Sequence, residues 1–268
     1  MNAIDKQYLK RPAMRWKQII STLAVILLFL WSTSAIQLNN LTANGLEIAG
    51  NILRGLVNPD LNLLFNFTQK GVSYLLLETM AIALLGTIVG GILAIPLAFL
   101  SASNIVPRPI SVVIRFLLII IRTIPAIVYG LMFIRVTGPG PFAGVLTMSL
   151  TSIGMLSKLY VDVIEDLDTS VLESMESIGC TTIEKIRFGI IPQLTAMFLS
   201  IVIYRYDMNL RDAAILGLVG AGGIGAPLIF AMNSYRWSEA GSILIGLIVL
   251  ILVIEVISNK IRTKLVQG

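Results

Sequence analysis

Residues 79–100 carry no charged side chain, and that one run limits the chain more than any other feature. It matches the roughly 20 apolar residues that a helix needs to cross a bilayer. In lipid every backbone N–H and C=O must find its partner within the protein, so such a run is a helix. Further apolar runs follow along the 268 residues. The chain is 56% hydrophobic and only 13% charged, against about 25% charged in a soluble domain. So few charges cannot shield that much apolar surface from water. The chain is an all-α integral membrane protein.

What is missing narrows the chemistry. There is no histidine, which removes Ser-His-Asp and Cys-His catalysis, histidine-ligated metals and histidine proton shuttles. One cysteine, Cys180, can form neither an intrachain disulfide nor a multi-cysteine metal site. No G-x-x-x-x-G-K-[ST] string occurs, so any ATP in the system binds to another chain. No catalytic residue, metal ligand or nucleic-acid partner is expected.

Six spans are read along the sequence. Residues 1–17 form a basic cytoplasmic segment with Lys6, Lys10, Arg11, Arg15 and Lys17, and residues 18–37 form the first membrane helix. A cleavable signal peptide is its rival, because small residues follow at 32–35. The anchor reading is taken, since the other spans also place this terminus inside. Residues 38–72 are an external loop, in which Leu46, Ala49, Ile52, Leu53 and Leu56 recur at the spacing of an interfacial helix. An ordinary loop helix fits that spacing nearly as well. Residues 73–268 form the core, with spans at about 79–100, 110–134, 141–157, from 188 and from 240, and a cytoplasmic loop at about 160–190. Arg115 and Arg122 share a face in the first half of the third span, which is expected to project towards the cytosol because arginine at mid-membrane is costly. Residues 213–235 also lack charge, but a seventh span would send the basic tail outside. With six, 14 of the 20 basic residues lie on or near the inner side.

Residues 220–225 match the dinucleotide fingerprint G-x-G-x-x-G, with Glu239 about 20 residues on. That fingerprint requires a strand before it and a helix after it in a βαβ unit, and this chain has no such alternation. Five glycines in the nine residues 217–225 point instead to a broken, re-entrant backbone, which membranes tolerate inside protein or beside a water-filled path. Tight helix packing is the competing explanation.

The loop between the fourth and fifth spans holds Asp162, Glu165, Asp166, Asp168, Glu173, Glu176, Glu184, Lys185 and Arg187, and reads as two short helices joined at Gly179. Glu173-Ser174-Met175-Glu176-Ser177-Ile178-Gly179, with Pro192 thirteen residues after the glycine, resembles the EAA loop of permease subunits in bacterial ABC importers. The glutamate, glycine and proline match; Ser174, Met175 and Gly189 depart from the general pattern. Gly189-Ile190-Ile191-Pro192-Gln193 resembles the phosphonate-importer branch. So do Leu77-Glu78-Thr79-Met80-Ala81, Arg122-Thr123-Ile124-Pro125, the block 140–146 and the block 217–225.

The likeness covers about residues 70 to 265. It implies a type I importer permease with a five-helix core plus one N-terminal helix. It implies a homodimer with two ATPase subunits and an external phosphonate-binding protein, set in lipid. ATP and Mg would sit on the ATPase, with no cofactor in this chain. The implied location is a bacterial inner membrane, with both termini cytoplasmic. In the family the helix before the glycine seats in a groove of the ATPase, which assigns Glu173, Glu176, Gly179 and Pro192 to coupling. A plain helix cap is the other reading of Gly179.

The fifth span carries Arg205, Asp207, Asn209 and Arg211. Arg205 lies thirteen residues past Pro192, about 20 Å into the helix, and ionisable groups at such depth face protein or water. Asp207 and Arg211 are spaced to pair. One reading sets Arg205 or Arg211 on the translocation path, offering a guanidinium to a phosphonate. The favoured one makes Arg205, Asp207 and Arg211 a buried network that holds the bundle. Gly220, Gly222, Gly223 and Gly225 are candidates for an outer gate. Importers of phosphite, an amino acid or an osmolyte are the nearest alternatives. An ion-coupled secondary transporter would need inverted repeats that the sequence lacks.

Overall fold

The computed structural model describes residues 15–35, 45–68, 71–167 and 169–267. Lys6, Lys10, Arg11 and Asp168, like most of the basic N-terminal segment, lie outside these residues. Within them the regular structure is helical throughout. The chain divides after Gly50 into two units, and α1 (Arg15–Ala35) belongs to the first. Its 21 residues span about 32 Å, the thickness of a bilayer's hydrocarbon.

α2 (Gly45–Val57) forms where the sequence spacing placed a helix. A short α3 (Leu61–Leu64) follows, capped by Asp60, whose carboxylate accepts from the Asn62 and Leu63 amides at 3.0 and 3.3 Å. The core of the second unit is built on α4 (Val72–Ser101) against α7 (Pro141–Glu165). Glycine explains their close approach. A Cβ at Gly86 would sit 2.2 Å from Met148 Cβ, and one at Gly90 2.5 Å from Ser152 Cβ. Two small residues four apart let helix backbones pack closely where no hydrophobic force drives them together.

The third span departs from expectation. Instead of one helix over 110–134, α5 (Arg108–Thr123) and α6 (Ala126–Thr137) meet at 84°. Pro125 supplies the cause. It lacks an N–H and forces the preceding residue out of helical geometry, and Ile124 is extended at φ −87°, ψ 123°. α6 alone rises only about 18 Å.

Beyond α7 come α8 (Thr169–Ser177) and α9 (Thr182–Glu184), then a π-helical stretch (Lys185–Ile190) and α10 (Ile191–Gly217). The wide turn stands directly before Pro192, whose ring would strike the Phe188 carbonyl in a regular α-helix. The Ile191 amide reaches back to the Ile186 carbonyl instead. α10 stops at Gly217, and α11 (Gly225–Asn233) rises only about 14 Å before α12 (Trp237–Gln267) begins. Residues 213–235 are therefore not a further span. Among the described residues five helices are long and apolar enough to cross a membrane, and counting the bent α5–α6 pair makes six.

Candidate functional site

The loop between α7 and α10 is a pair of short helices with well-defined ends. α8 closes in a Schellman turn: the Gly179 amide donates to the Glu176 carbonyl at 2.9 Å, and the Cys180 amide to the Met175 carbonyl at 3.0 Å. That turn needs a left-handed residue, and Gly179 has φ +85°. The cap reading of Gly179 is thus met geometrically. The space around its Cα is also open, with nothing within 4 Å of an added Cβ, so the turn can be approached closely from outside. Thr181 and Glu184 form a capping box that starts α9.

Glu173 and Glu176, one helical turn apart, are both exposed. Glu176 accepts from Lys185 Nζ at 2.9 Å. The hydrogen bond from Lys185, then its charge, holds the Glu176 carboxyl below the usual carboxylate range. Glu173 makes no side-chain hydrogen bond or ion pair among the described residues.

The base of this loop is tied to the core by residues that the sequence did not single out for that role. Glu165, at the end of α7, accepts from the Ser103 amide at 2.7 Å and the Ser103 hydroxyl at 2.5 Å, and pairs with Arg115. Arg115 Nε also donates to the Ser101 carbonyl at 2.9 Å. Asn104 Nδ2 donates to the Ile164 carbonyl at 2.9 Å. The C-terminal ends of α4 and α7 and the middle of α5 are joined just where the loop departs.

Along α10 the four polar residues divide into two sets, which corrects the single network expected of Arg205, Asp207 and Arg211. Residues two apart on a helix point to nearly opposite sides. Arg205 and Asn209 face α7 and α4. The guanidinium donates to Ser152 Oγ at 3.1 Å, Thr151 Oγ1 at 3.2 Å and Met155 Sδ at 3.1 Å. Asn209 Nδ2 donates to Thr87 Oγ1 at 2.8 Å and Ser152 Oγ at 2.7 Å. Asp207 and Arg211 pair at 3.2 Å, as their spacing suggested, and Arg211 also reaches Glu255 of α12 at 3.0 Å. Glu255, Ser152, Thr151 and Thr87 lie far away in sequence, and no local pattern points to them.

The glycine-rich break joins three of the sequence blocks. Glu78 accepts from the Gly223 amide at 3.1 Å and Thr79 Oγ1 from the Ile224 amide at 2.9 Å, while the Gly140 amide donates to the Gly220 carbonyl at 2.9 Å. Gly220, Gly222 and Gly223 all have positive φ. Space is as restrictive as conformation: a Cβ at Gly222 would lie 2.7 Å from Pro141 N and Cα, and one at Gly223 2.6 Å from Thr79 Oγ1. A Cβ at Gly225 would lie 2.3 Å from the Ala214 carbonyl. The break and the close packing are one feature, because the loop can dock only if positions 222, 223 and 225 carry no side chain.

Comparison with known proteins agrees with this architecture. Residues 94–267 match the family model described as binding-protein-dependent transport system inner membrane component. The phosphite transport system permease protein PtxC of Stutzerimonas stutzeri is 28% identical over 91% of this chain and 87% of its own length. The putative cryptic phosphonate transport system permease protein PhnE2 of Escherichia coli is 29% identical over 44% of this chain and 96% of its own length. Among solved structures, a chain of the inward-facing MetNI methionine ABC transporter superposes with a TM-score of 0.63. It is 19% identical and covers 72% of this chain and 95% of that one, a likeness of fold.

Proposed function

The chain belongs to the family of binding-protein-dependent transport system inner membrane components, and from that premise we propose that it carries phosphonates through the membrane. As an ABC importer permease it is a transport subunit and not an enzyme, and it works with ATPase and binding-protein partners. The ion-coupled alternative falls with the family assignment. The observation that carries the mechanism is the exposed α8 helix, whose Glu173 and Glu176 face outward beside an open glycine turn. Its base is fastened to α4, α5 and α7 through Glu165. A partner that grips α8 moves a lever joined to three core helices, not a free loop.

In this reading two copies of the chain form the path. Two ATPases hold ATP and Mg, and no cofactor belongs to the permease itself. ATP binding draws the ATPases together, the α8 helices follow, and the inner ends of the spans close while the outer side opens. Both termini face the cytoplasm of a bacterial cell in this reading, which the distribution of basic residues supports. The docked glycine break at 220–225 belongs to the outer gate. Arg205 and Asn209 hold α10 against α7 and α4, while Asp207 and Arg211 hold it against α12. A tightly held substrate could not leave, so selectivity resides mainly in the binding protein.

The cargo rests on the sequence blocks and on relatives named for phosphonate and phosphite. Uptake of labelled 2-aminoethylphosphonate into proteoliposomes with the binding protein and ATPase tests it. Uptake competed by other phosphonates, but not by methionine or glycine betaine, is expected. Uptake competed by phosphite and not by phosphonates would move the cargo to phosphite. Competition by the amino acid or the betaine would overturn the phosphorus-oxyanion reading altogether.

A further inference from the structure

α5 is arranged inside out. Ser111, Arg115, Leu118 and Arg122 repeat at intervals of three and four on the face turned towards α4 and α7. Val112, Val113, Phe116, Ile119 and Ile120 on the remaining surface are all exposed. A helix in water would present the reverse pattern. α5 packs along α7, with Arg115 at Glu165, where the coupling loop departs, and Arg122 further back at Gly154. Between α5 and α7 lies a cleft of about 190 Å³ lined by Arg115, Arg122, Lys158 and Asp162, with apolar walls from Leu118 and Val161.

The charges in this cleft are not balanced within the chain. Arg115 is taken up by Glu165, and Lys158 approaches Asp162 only at 3.9 Å, with both side chains more than half exposed. Arg122 has no ion-pair or hydrogen-bond partner among the described residues. Its stem is fixed nonetheless, because Cγ packs over Gly154, where a Cβ would come within 2.7 Å. A positioned guanidinium and an ammonium therefore face a small cleft that opens beside an apolar helix surface.

We propose that this cleft binds the headgroup of an anionic phospholipid. The phosphodiester sits between Arg122 and Lys158, and the acyl chains lie along the exposed apolar side of α5. Basic pockets between helices at the cytoplasmic side suit such headgroups, and the guanidinium fork suits phosphate oxygens. The apolar outer face of α5 favours a lipid over a free anion, because a lipid covers both surfaces at once and a free anion cannot. A lipid held here braces α5 against α7 next to Glu165, at the root of the coupling loop. The proposal needs only a membrane-embedded permease, whatever its cargo.

The test is native mass spectrometry of the purified full-length chain, released from micelles containing equal phosphatidylglycerol and phosphatidylcholine. Preferential retention of phosphatidylglycerol is expected. It should weaken roughly fivefold in Arg122→Gln and about 25-fold in Arg122→Gln/Lys158→Gln, as loss of one and two interfacial cations implies. Gln keeps the Cγ over Gly154, and the single variant breaks no ion pair, so it carries the test if the double variant fails to fold. Arg122→Lys should recover part of the binding. Equal retention of the two lipids, or retention unchanged in Arg122→Gln, would overturn the proposal. Displacement of the lipid by millimolar inorganic phosphate would also overturn it, in favour of a soluble-anion site. Loss of chain dimers in place of lipid would assign the face to a second copy.

Discussion

Alanine at Gly222 and at Gly220 separates two costs that glycine avoids in the docked break. Both residues have positive φ, +84° and +94°, where an L side chain costs about 1–2 kcal/mol. Their surroundings differ. The new Cβ at 220 meets nothing nearer than Pro139 Cβ at 3.7 Å, an ordinary contact, whereas at 222 it meets the Pro141 backbone at 2.7 Å. Backbone cannot rotate aside, so an overpacking cost of about 1–3 kcal/mol is added. Gly220→Ala should therefore lose about 1–2 kcal/mol and Gly222→Ala about 2–5 kcal/mol. The assay is reversible unfolding of the purified chain in mixed micelles with increasing SDS, in parallel with transport by the same variants. Equal destabilisation at the two sites would refute the close-packing argument. Transport should fall in Gly222→Ala even where the folded fraction is restored by lower temperature, because the break could no longer re-dock. Full transport by a folded Gly222→Ala would remove these glycines from the gate.

Three further outcomes follow from the same geometry. Arg211→Gln strands the buried Asp207, whose side chain is 7% exposed, and should cost about 3–5 kcal/mol. Glu255→Gln removes a 43% exposed partner and should cost under about 1 kcal/mol; the same unfolding assay ranks them, and equal costs would contradict the burial argument. Asn209→Ala removes two interhelical hydrogen bonds, worth about 1 kcal/mol together at the average measured in membranes; no measurable loss would mean that these bonds do not hold α10. For Glu176, held below the usual range by Lys185, the pair is intact at neutral pH and is lost as pH falls through the lowered folded value. Lys185→Gln should return the carboxyl to its ordinary range in an NMR titration, and an unchanged midpoint would show that the ion pair does not form.

Much of this arrangement was legible from the residues, for definable reasons. Apolar runs of bilayer length locate the long spans because lipid leaves the backbone no alternative to the helix. The i,i+4 spacing of Asp207 and Arg211 is local and yields their pairing. Gly179 was legible as the joint between two short helices, and α8 ends there with α9 starting soon after. Features that depend on a second helix were hidden. Residues two apart on a helix diverge, yet spacing could not say that Arg205 meets Ser152 and Thr151 of α7. The glycine block announced a break, but its anchoring to Glu78, Thr79 and Gly140 lies about 80 to 145 residues back along the chain. Pro125 offered a local signal for the bend at Ile124; the predominantly apolar stretch 110–134 masked it, since hydropathy does not register direction.

The central claim is that this permease couples to a separate ATPase through α8. It is tested most directly by ATP hydrolysis of the reconstituted complex, with the binding protein present, with and without 2-aminoethylphosphonate. Glu173→Arg is the informative variant, because Glu173 is exposed and makes no side-chain hydrogen bond or ion pair among the described residues, so its reversal leaves the permease fold alone. Cargo-stimulated hydrolysis in the native complex, lost together with ATPase association in Glu173→Arg, is the predicted result. Hydrolysis and association unchanged by that reversal would contradict the coupling role of α8, and absence of any ATPase association would contradict the account as a whole.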